Sequence, residues 1–440
     1  MEIKGVLRGL FETIAKRLGY EINKKEKTAI DFSADGLNPT AIGAAVITNI
    51  ALDDSNIIIS GNSERAKRLD DIKKYFLNSI ENITCEIALG TGDALVRPYT
   101  DGKNIGLSVI GCDNFTIIES IGEKIKGIII KLDEYETDRH TLRLFESQTL
   151  KPTELGETVV ISRFAYRDNT EIDLSKTKWQ GFESEETIFS NQLLVGRYKC
   201  PTLNRKNYNS ANGVPITFGC EDIIENIKKR YNDFNDEYDV KKGKLFADRT
   251  LFSKNKNGEL QYTGKNKISV VSGGLDGGID KQISAYSPDI RDNSYKNGAD
   301  FNFSILELCC GFSRGIFTAP ETAFATATEM KNSLKKTFAF VKSFRNNIEQ
   351  GNKELFNAID IILNLNGETV GAWDIRHDWS YDYIESTTEK FNQLLQGHNV
   401  GAVKTQDLTA WVLGLDDEQA EKYVSEIKQE EAVLNENDFG

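Results

Sequence analysis

Apolar positions along this chain fall into two textures: helical spacing towards both ends, and strand-like alternation between residues 90 and 165. The longest helical pattern runs over 326–366. It opens Thr326-Ala327-Thr328-Glu329, a capping box in which Thr326 and Glu329 satisfy each other's free backbone donors. Behind it Leu334, Val341, Ile348, Leu355 and Ile362 recur every seven residues, and Phe338, Phe344 and Ile359 widen the stripe. Such a helix is about 60 Å long and needs something equally long to lie against. Gly351, near its middle, costs about 1 kcal/mol relative to alanine and is the expected kink.

The other elements follow from the same reading. Residues 2–18 form a short amphipathic helix, Asn38-Pro39 opens a second through about Asp53, and Ser63 caps a third. The stripe of the third is Leu69, Ile72, Phe76, Ile80, Ile83 and Ile87. Six short strands then follow, Ala94–Tyr99, Gly106–Val109, Phe115–Ile118, Gly127–Lys131, Thr141–Glu146 and Thr158–Phe164, separated by turn signals. A mainly antiparallel sheet on helices makes residues 1–218 an α+β domain. A helix over Cys220–Lys242 carries a narrow apolar stripe and a mostly acidic remainder that includes Glu225, Asp233, Asp236 and Glu237. Residues 244–286 read as a small strand-containing insert whose basic first half holds Lys254, Lys256 and Lys265. Ser287-Pro288 supplies an N-cap and N1 proline for a returning helix that ends near Cys310. Two helices that leave and re-enter around a small module make a stalk, with the insert at its tip. Gly311–Ala325 is irregular, Trp373, Ile375 and Trp379 suggest an extended segment, and three helices fill 382–434, stopping at Gly397 and capped by Thr405 and Asp416.

At 440 residues, 39% hydrophobic and 28% charged, the chain reads as globular, with room for several domains. Its net charge of −13 argues against an ordinary nucleic-acid-gripping surface, though not against a polyanion as passing cargo, since repulsive walls let it slide. Six cysteines without C-x-x-C spacing form neither a zinc pattern nor a disulfide framework, which implies a reducing, intracellular setting. Cys309-Cys310 read as small buried apolar residues. The N-terminus has no apolar signal core, and the longest apolar run, Ala41–Leu52, is too short and too polar to span a bilayer.

The search for chemistry finds no catalytic, cofactor-binding or metal site. No G-x-x-x-x-G-K-[ST] loop or G-x-S-x-G elbow is present, and Gly90-Thr91-Gly92 reads as a turn. His140, His377 and His398 lie far apart, as surface or capping residues do. Asp374 and Asp378, four apart beside Trp373 and Trp379, read as a solvated face rather than a cation site.

The order of these parts resembles the portal proteins of tailed bacteriophages, especially the type common in phages of Gram-positive hosts. Asn204 with Ala211-Asn212-Gly213-Val214-Pro215-Ile216 before the acidic helix is similar to the family's lead-in to its descending stem helix. Ile305–Gly311 followed by Phe312-Ser313-Arg314-Gly315-Ile316-Phe317 is similar to its helix end and glycine-containing link. Thr326-Ala327-Thr328-Glu329-Met330 matches the start of its long helix, and Asp378, Asp382, Gly397 and Glu418-Gln419-Ala420 resemble its crown. The resemblance implies a wing (1–218), a descending stem helix (219–243), a clip (244–286), an ascending stem helix (287–310), a tunnel loop (311–325), a long helix (326–366) and a helical crown (367–440). It implies a homo-oligomeric ring, normally twelvefold, at one capsid vertex, through which double-stranded DNA is packaged and ejected. Implied partners are the terminase large subunit, the head–tail adaptor, and the major capsid and scaffold proteins, with assembly in the host cytoplasm. Arg314, Thr318 and Glu321 become candidates to face DNA, and Lys254, Lys256 and Lys265 candidates for partner contact. Two rivals remain: a virion or tail component that uses 326–366 as a coiled coil, with Arg345 and Asn352 interrupting its seam, and an enzyme on nucleotides or sugars in the 90–165 sheet.

Overall fold

A computed structural model describes residues 13–14, 16, 37–53, 55–102, 104–137, 139–154, 156–241, 244–247, 252–254, 260–262, 269–270, 283–286, 291–318, 327–379, 387–414 and 419–427. Helices α1 (Pro39–Leu52), α2 (Glu64–Ser79) and α3 (Glu81–Thr91) come first, with strand β1 (Ser55–Ser60) after α1. Asn38 caps α1 by accepting from the Ala41 amide at 3.2 Å, and Pro39 takes the first helical position, where a missing N–H is harmless. Ser63 caps α2 through the Ala66 amide at 3.0 Å. The single helix expected beyond Ser63 is in fact two. The chain breaks at Ile80, turning Glu81 inward and leaving Ile83 exposed.

Strands β2 (Asp93–Thr100), β3 (Ile105–Gly111), β4 (Phe115–Ile121), β5 (Lys124–Glu136), β6 (Thr141–Thr153) and β7 (Gly156–Arg167) occupy the six expected places. Short β8 (Thr170–Ile172), β9 (Glu185–Phe189) and β10 (Gly196–Lys199) follow. One antiparallel sheet has the order β4-β5-β6-β7-β8, with β9 also on β7; a second has the order β10-β2-β3. The fold is α+β. Beyond it lie α4 (Glu221–Lys241), β11 (Lys244–Ala247), β12 (Phe252–Lys254), β13 (Leu260–Tyr262), β14 (Ser269–Val270), β15 (Ile283–Tyr286), α5 (Asp292–Cys310), α6 (Ala327–Leu365), β16 (Asp374–Trp379), α7 (Thr387–Asn399) and α8 (Thr405–Leu413). Strands β14-β11-β15 form a small sheet and β12 pairs with β13.

Helix α6, about 58 Å long at 1.5 Å per residue, is the beam of the molecule. Val341, Phe344, Ile348, Leu355, Phe356, Ile359 and Leu363 join one core with residues of α1, α2 and α3, with Ala94 and Val96 of β2, and with Ile375 and Trp379. Ala358 and Ile361 face a second core built from Leu95, Ile128, Ile130, Val159 and Ile161 of the sheets. Alternate residues of β2 thus point into different cores, as the two-residue repeat of a strand requires. Each fully buried Leu, Ile or Phe contributes about 1.5–3 kcal/mol, so the stripe from Val341 to Leu363 is spent inside the chain. Among the described residues, those from Val341 to Leu363 leave little apolar surface for a coiled-coil seam.

The two polar residues in the stripe have specific partners. Arg345 donates to the carbonyls of Ala51 (2.9 Å), Ile50 (3.4 Å) and Asp53 (3.5 Å), so a buried cation closes the C-terminal end of α1, where the helix dipole is negative. Asn352, fully buried, accepts from the Tyr198 hydroxyl at 2.6 Å and donates to His377 Nε2 (2.9 Å) and Glu81 Oε1 (3.4 Å). Burial pushes the Glu81 carboxyl up to about 7, and burial pulls the His377 imidazole down to about 4. Gly351 lies in an uninterrupted helical run and is buried. A Cβ there would stand 2.6 Å from the Arg197 carbonyl oxygen and 3.1 Å from the Tyr198 ring; one on Gly196 would stand 2.6 Å from the Gly351 carbonyl oxygen. Two glycines let α6 and β10 cross at backbone distance.

Several further expectations change. After α6 the chain returns to the N-terminal region, where β16 pairs antiparallel with β1 from Ser55↔Trp379 to Ser60↔Asp374. Asp374 and Asp378 therefore sit on a strand, roughly 13 Å apart at 3.3 Å per residue, too far to share a cation. Cys309 is exposed and Cys310 half-buried, rather than both buried. Helix α5 starts at Asp292, and Ser287-Pro288 lies outside the described residues, as do most of 2–18 and Asp416. Helix α7 continues past Gly397 to Asn399, because Gly397 lets Val403 close against it and Gly401 takes the left-handed conformation that ends the helix. Thr405 is the first residue of α8 rather than its cap.

Candidate functional site

Helices α4 and α5 run antiparallel. At their base Cys220, Ile224 and Ile227 pack on Leu306, with Cys310 beside them. Further out, Phe234 meets Tyr295 edge-on at 5.6 Å. Near the tip side, Arg291 grips Glu237 through Nη2 at 2.9 Å and Nε at 3.2 Å, and that guanidinium holds the Glu237 carboxyl down at about 2. A groove of about 440 Å³ opens between the helices, lined by Ile227, Tyr231, Phe234, Tyr295 and Phe303. Phe301 and Leu308, two turns apart on α5, are 65% and 63% exposed. These two large apolar side chains are thus left bare on one face of α5.

The acidic face of α4 is less uniform than its composition suggests. Glu225, Asp233 and Asp236 are exposed, but Glu237 is turned into its pair with Arg291. Lys228, Lys229 and Arg230 are exposed between them.

The segment after α5 is clamped from both sides. Gly311 takes a left-handed conformation as the helix ends, and the Phe312 amide turns back to the Glu307 carbonyl at 2.8 Å. Phe312 packs edge-on against Phe340 of α6 at 5.2 Å, and the Ser313 amide donates to Thr337 Oγ1 at 2.9 Å. The side chain of Glu307, 1% exposed, then turns under the loop. Its Oε1 accepts from four successive amides: Gly315 (3.1 Å), Ile316 (2.9 Å), Phe317 (2.7 Å) and Thr318 (3.1 Å). The Thr318 hydroxyl donates to both carboxylate oxygens, at 3.2 and 3.1 Å. Successive backbone amides that converge on one anion form a nest, and here the chain supplies the anion itself. Phe317 completes the anchor by stacking on Phe303 at 6.3 Å.

The sequence candidates distribute as follows. Arg314 is exposed and donates to Ser304 Oγ on α5 at 2.6 Å. Thr318 is half-buried, with its hydroxyl committed to Glu307 rather than offered outward. Lys254 ends β12, while Lys256, Lys265, Glu321 and Thr326 lie outside the described residues; α6 is described from Ala327, with Glu329 in its first turn. Glu307, Ser313 and Thr337 carry no sequence signal, since a lone glutamate in a helix reads as solvated surface. Among the described residues no group of three His, Cys, Asp or Glu side chains is placed to hold a metal, and no helix is long and apolar enough to cross a membrane. His140 pairs with Asp168 at 2.6 Å and His398 contacts the Val403 carbonyl at 3.1 Å, both local roles.

Comparison with curated proteins gives no match. A family model described as "Phage portal protein, SPP1 Gp6-like" matches residues 52–432, which is most of the chain. The hairpin, the clamped loop and the long helix all fall inside that match, as do both cores around α6 apart from the residues that α1 supplies before position 52. The chain belongs to the SPP1 Gp6-like phage portal protein family, a structural, non-enzymatic family of the bacteriophage capsid that serves DNA packaging.

Proposed function

We propose that copies of this chain close into a ring, with twelve the expected number, whose central channel passes double-stranded DNA into the capsid and out again. Family membership supports the homo-oligomeric ring, DNA as cargo and a place in the virion capsid. In this reading 1–218 is the wing. Residues 219–243 and 287–310 are the stem, 244–286 the clip, 311–325 the tunnel loop, 326–366 the helix behind it and 367–440 the crown. The clip would dock the terminase large subunit and later the head–tail adaptor, with Lys254, Lys256 and Lys265 as contact candidates. The wing and crown would meet the major capsid and scaffold proteins. Arg314 and Glu321 would lie nearest DNA; Thr318 would hold the loop instead.

The observation that carries this reading is the antiparallel hairpin, which leaves Phe301 and Leu308 bare while its base is locked to a 39-residue helix. A hairpin so exposed gains its cover from neighbouring hairpins. The chain's net charge of −13 suits a conduit, because walls that repel phosphate hold no salt-dependent grip on the duplex. Sedimentation of the purified protein tests the assembly. Wild-type protein should form a high-mass species, and the pair Phe301→Asp with Leu308→Asp should abolish it while leaving the far-UV circular dichroism of the protomer intact. Unchanged assembly of the double variant would overturn this placement of the subunit contact.

A further inference from the structure

Glu307 is the residue on which the loop after α5 closes. Its carboxylate is buried, and among the described residues it forms no ion pair; its hydrogen-bond partners there are four consecutive amides and one hydroxyl. Those amides belong to Gly315, Ile316, Phe317 and Thr318, a segment outside any helix or strand, so no ladder holds it. Hydrogen bonds to an ionised acceptor are roughly twice as strong as neutral ones. Three of these amides have no other acceptor among the described residues, while that of Gly315 also reaches Thr318 Oγ1 at 3.2 Å, and part-buried amides that lose their acceptor favour a rearranged backbone. The neighbouring ties differ in kind: Ser313 bonds to Thr337, Phe312 packs on Phe340, and Arg314 reaches back to Ser304 on α5.

We infer that Glu307 is the positioning residue of the DNA-facing loop: its carboxylate fixes the backbone of Gly315–Thr318, and so sets where Arg314 stands. This deepens the channel reading above and rests on it. Glu307 itself touches no cargo. It acts through the loop, as a buried internal anion that occupies the nest.

Hydrogen exchange on the assembled full-length protein, combined with head filling, tests this. In Glu307→Ala the amides of Gly315, Ile316, Phe317 and Thr318 should exchange at least about tenfold faster, while protection in α4, α5 and the middle of α6 stays within about twofold of wild type. Glu307→Gln, which keeps the shape and one acceptor oxygen but not the charge, should fall between the two and covers the case in which Glu307→Ala does not fold. Infected cells complemented with either variant should yield fewer DNA-filled heads, in the order wild type, Glu307→Gln, Glu307→Ala. Unchanged protection of 315–318 in both variants would overturn the clamp. Lost protection with wild-type numbers of filled heads would overturn the positioning role. Should wild-type protein form no ring and fill no heads, the channel reading would fall, while the exchange result would still decide whether Glu307 holds the loop.

Discussion

Gly351→Ala separates two meanings of a glycine in the middle of a long helix. If the residue only loosened or bent α6, alanine would raise stability by about 1 kcal/mol through helix propensity. The structure predicts the opposite sign. The new Cβ would meet the Arg197 carbonyl oxygen at 2.6 Å and the Tyr198 ring at 3.1 Å. Neither can swing aside. Arg197 and Tyr198 lie in β10, which is paired with β2 over Gly196↔Val96 to Lys199↔Asp93. Tyr198 is also buried, stacked on Phe76 at 6.5 Å and bonded to Asn352 at 2.6 Å. Forcing an extra carbon into such a contact costs about 3 kcal/mol, the upper end for overpacking, because the obstruction is backbone. After the propensity gain the net loss is about 2 kcal/mol. Gly298, inside α5 with nothing within 4 Å of a built Cβ, is the control. There the same substitution should stabilise by up to about 1 kcal/mol. Urea unfolding at constant slope reads both changes as shifts in midpoint. A Gly351→Ala protein as stable as wild type, or shifted in the same direction as Gly298→Ala, would refute the close crossing of α6 and β10 and restore the expected kink as the reason for the glycine.

Two further outcomes follow from buried charge. Glu81 has its carboxyl raised from 4.5 to about 7 by burial, so the stability carried by its neutral form is complete below pH 4.5 and lost as pH rises through 7. Glu81→Gln stays neutral, so its stability relative to wild type should grow by about 3 kcal/mol between pH 4.5 and 8. The shared depression of His377 cancels in that difference, and parallel pH profiles would contradict it. Glu146, fully buried, accepts from Arg97 at 2.8 and 2.7 Å, Arg163 at 2.9 Å and Gln148 at 2.9 Å, and the two guanidinium groups hold it down at about 2 against its desolvation. Glu146→Ala removes the buried carboxylate shared by two half-buried guanidinium groups, of which Arg163 keeps Glu186 at 3.3 Å, and should cost about 3 kcal/mol at pH 7, read by the same urea midpoints. In wild type the Glu146 contribution is present above pH 4.5 and fades only as pH falls towards 2, so a loss of stability confined to pH 5–7 would contradict it.

What the sequence made legible depended on the reach of each interaction. Strands β2–β7 stand out because Val, Ile and aromatics alternate between local turn signals, and the α6 stripe because its repeat is written in one segment. The pairing of β1 with β16 joins residues more than 300 positions apart, and neither Ser55–Ser60 nor Asp374–Trp379 announces a partner. Strand β10 reads Gly-Arg-Tyr-Lys, with no apolar alternation at all. Arg345 and Asn352 look like faults in a coiled-coil seam until α1, Tyr198 and Glu81 arrive from far away in the chain to satisfy them. At the candidate site the irregular stretch after Gly311 was legible, but not the atom that holds it. A buried glutamate inside an amphipathic helix has the same letters around it as a solvated one, and only the folded backbone brings four amides to it.

The most direct test of the central claim is electron microscopy of the purified full-length chain, alone and then mixed with scaffold and capsid protein. Rings of several hundred kilodaltons with a central opening wide enough for a DNA duplex, the hairpin of α4 and α5 turned towards that opening, are the expected result. A protein that remains a monomer in every mixture, or assembles without an axial channel, would contradict it.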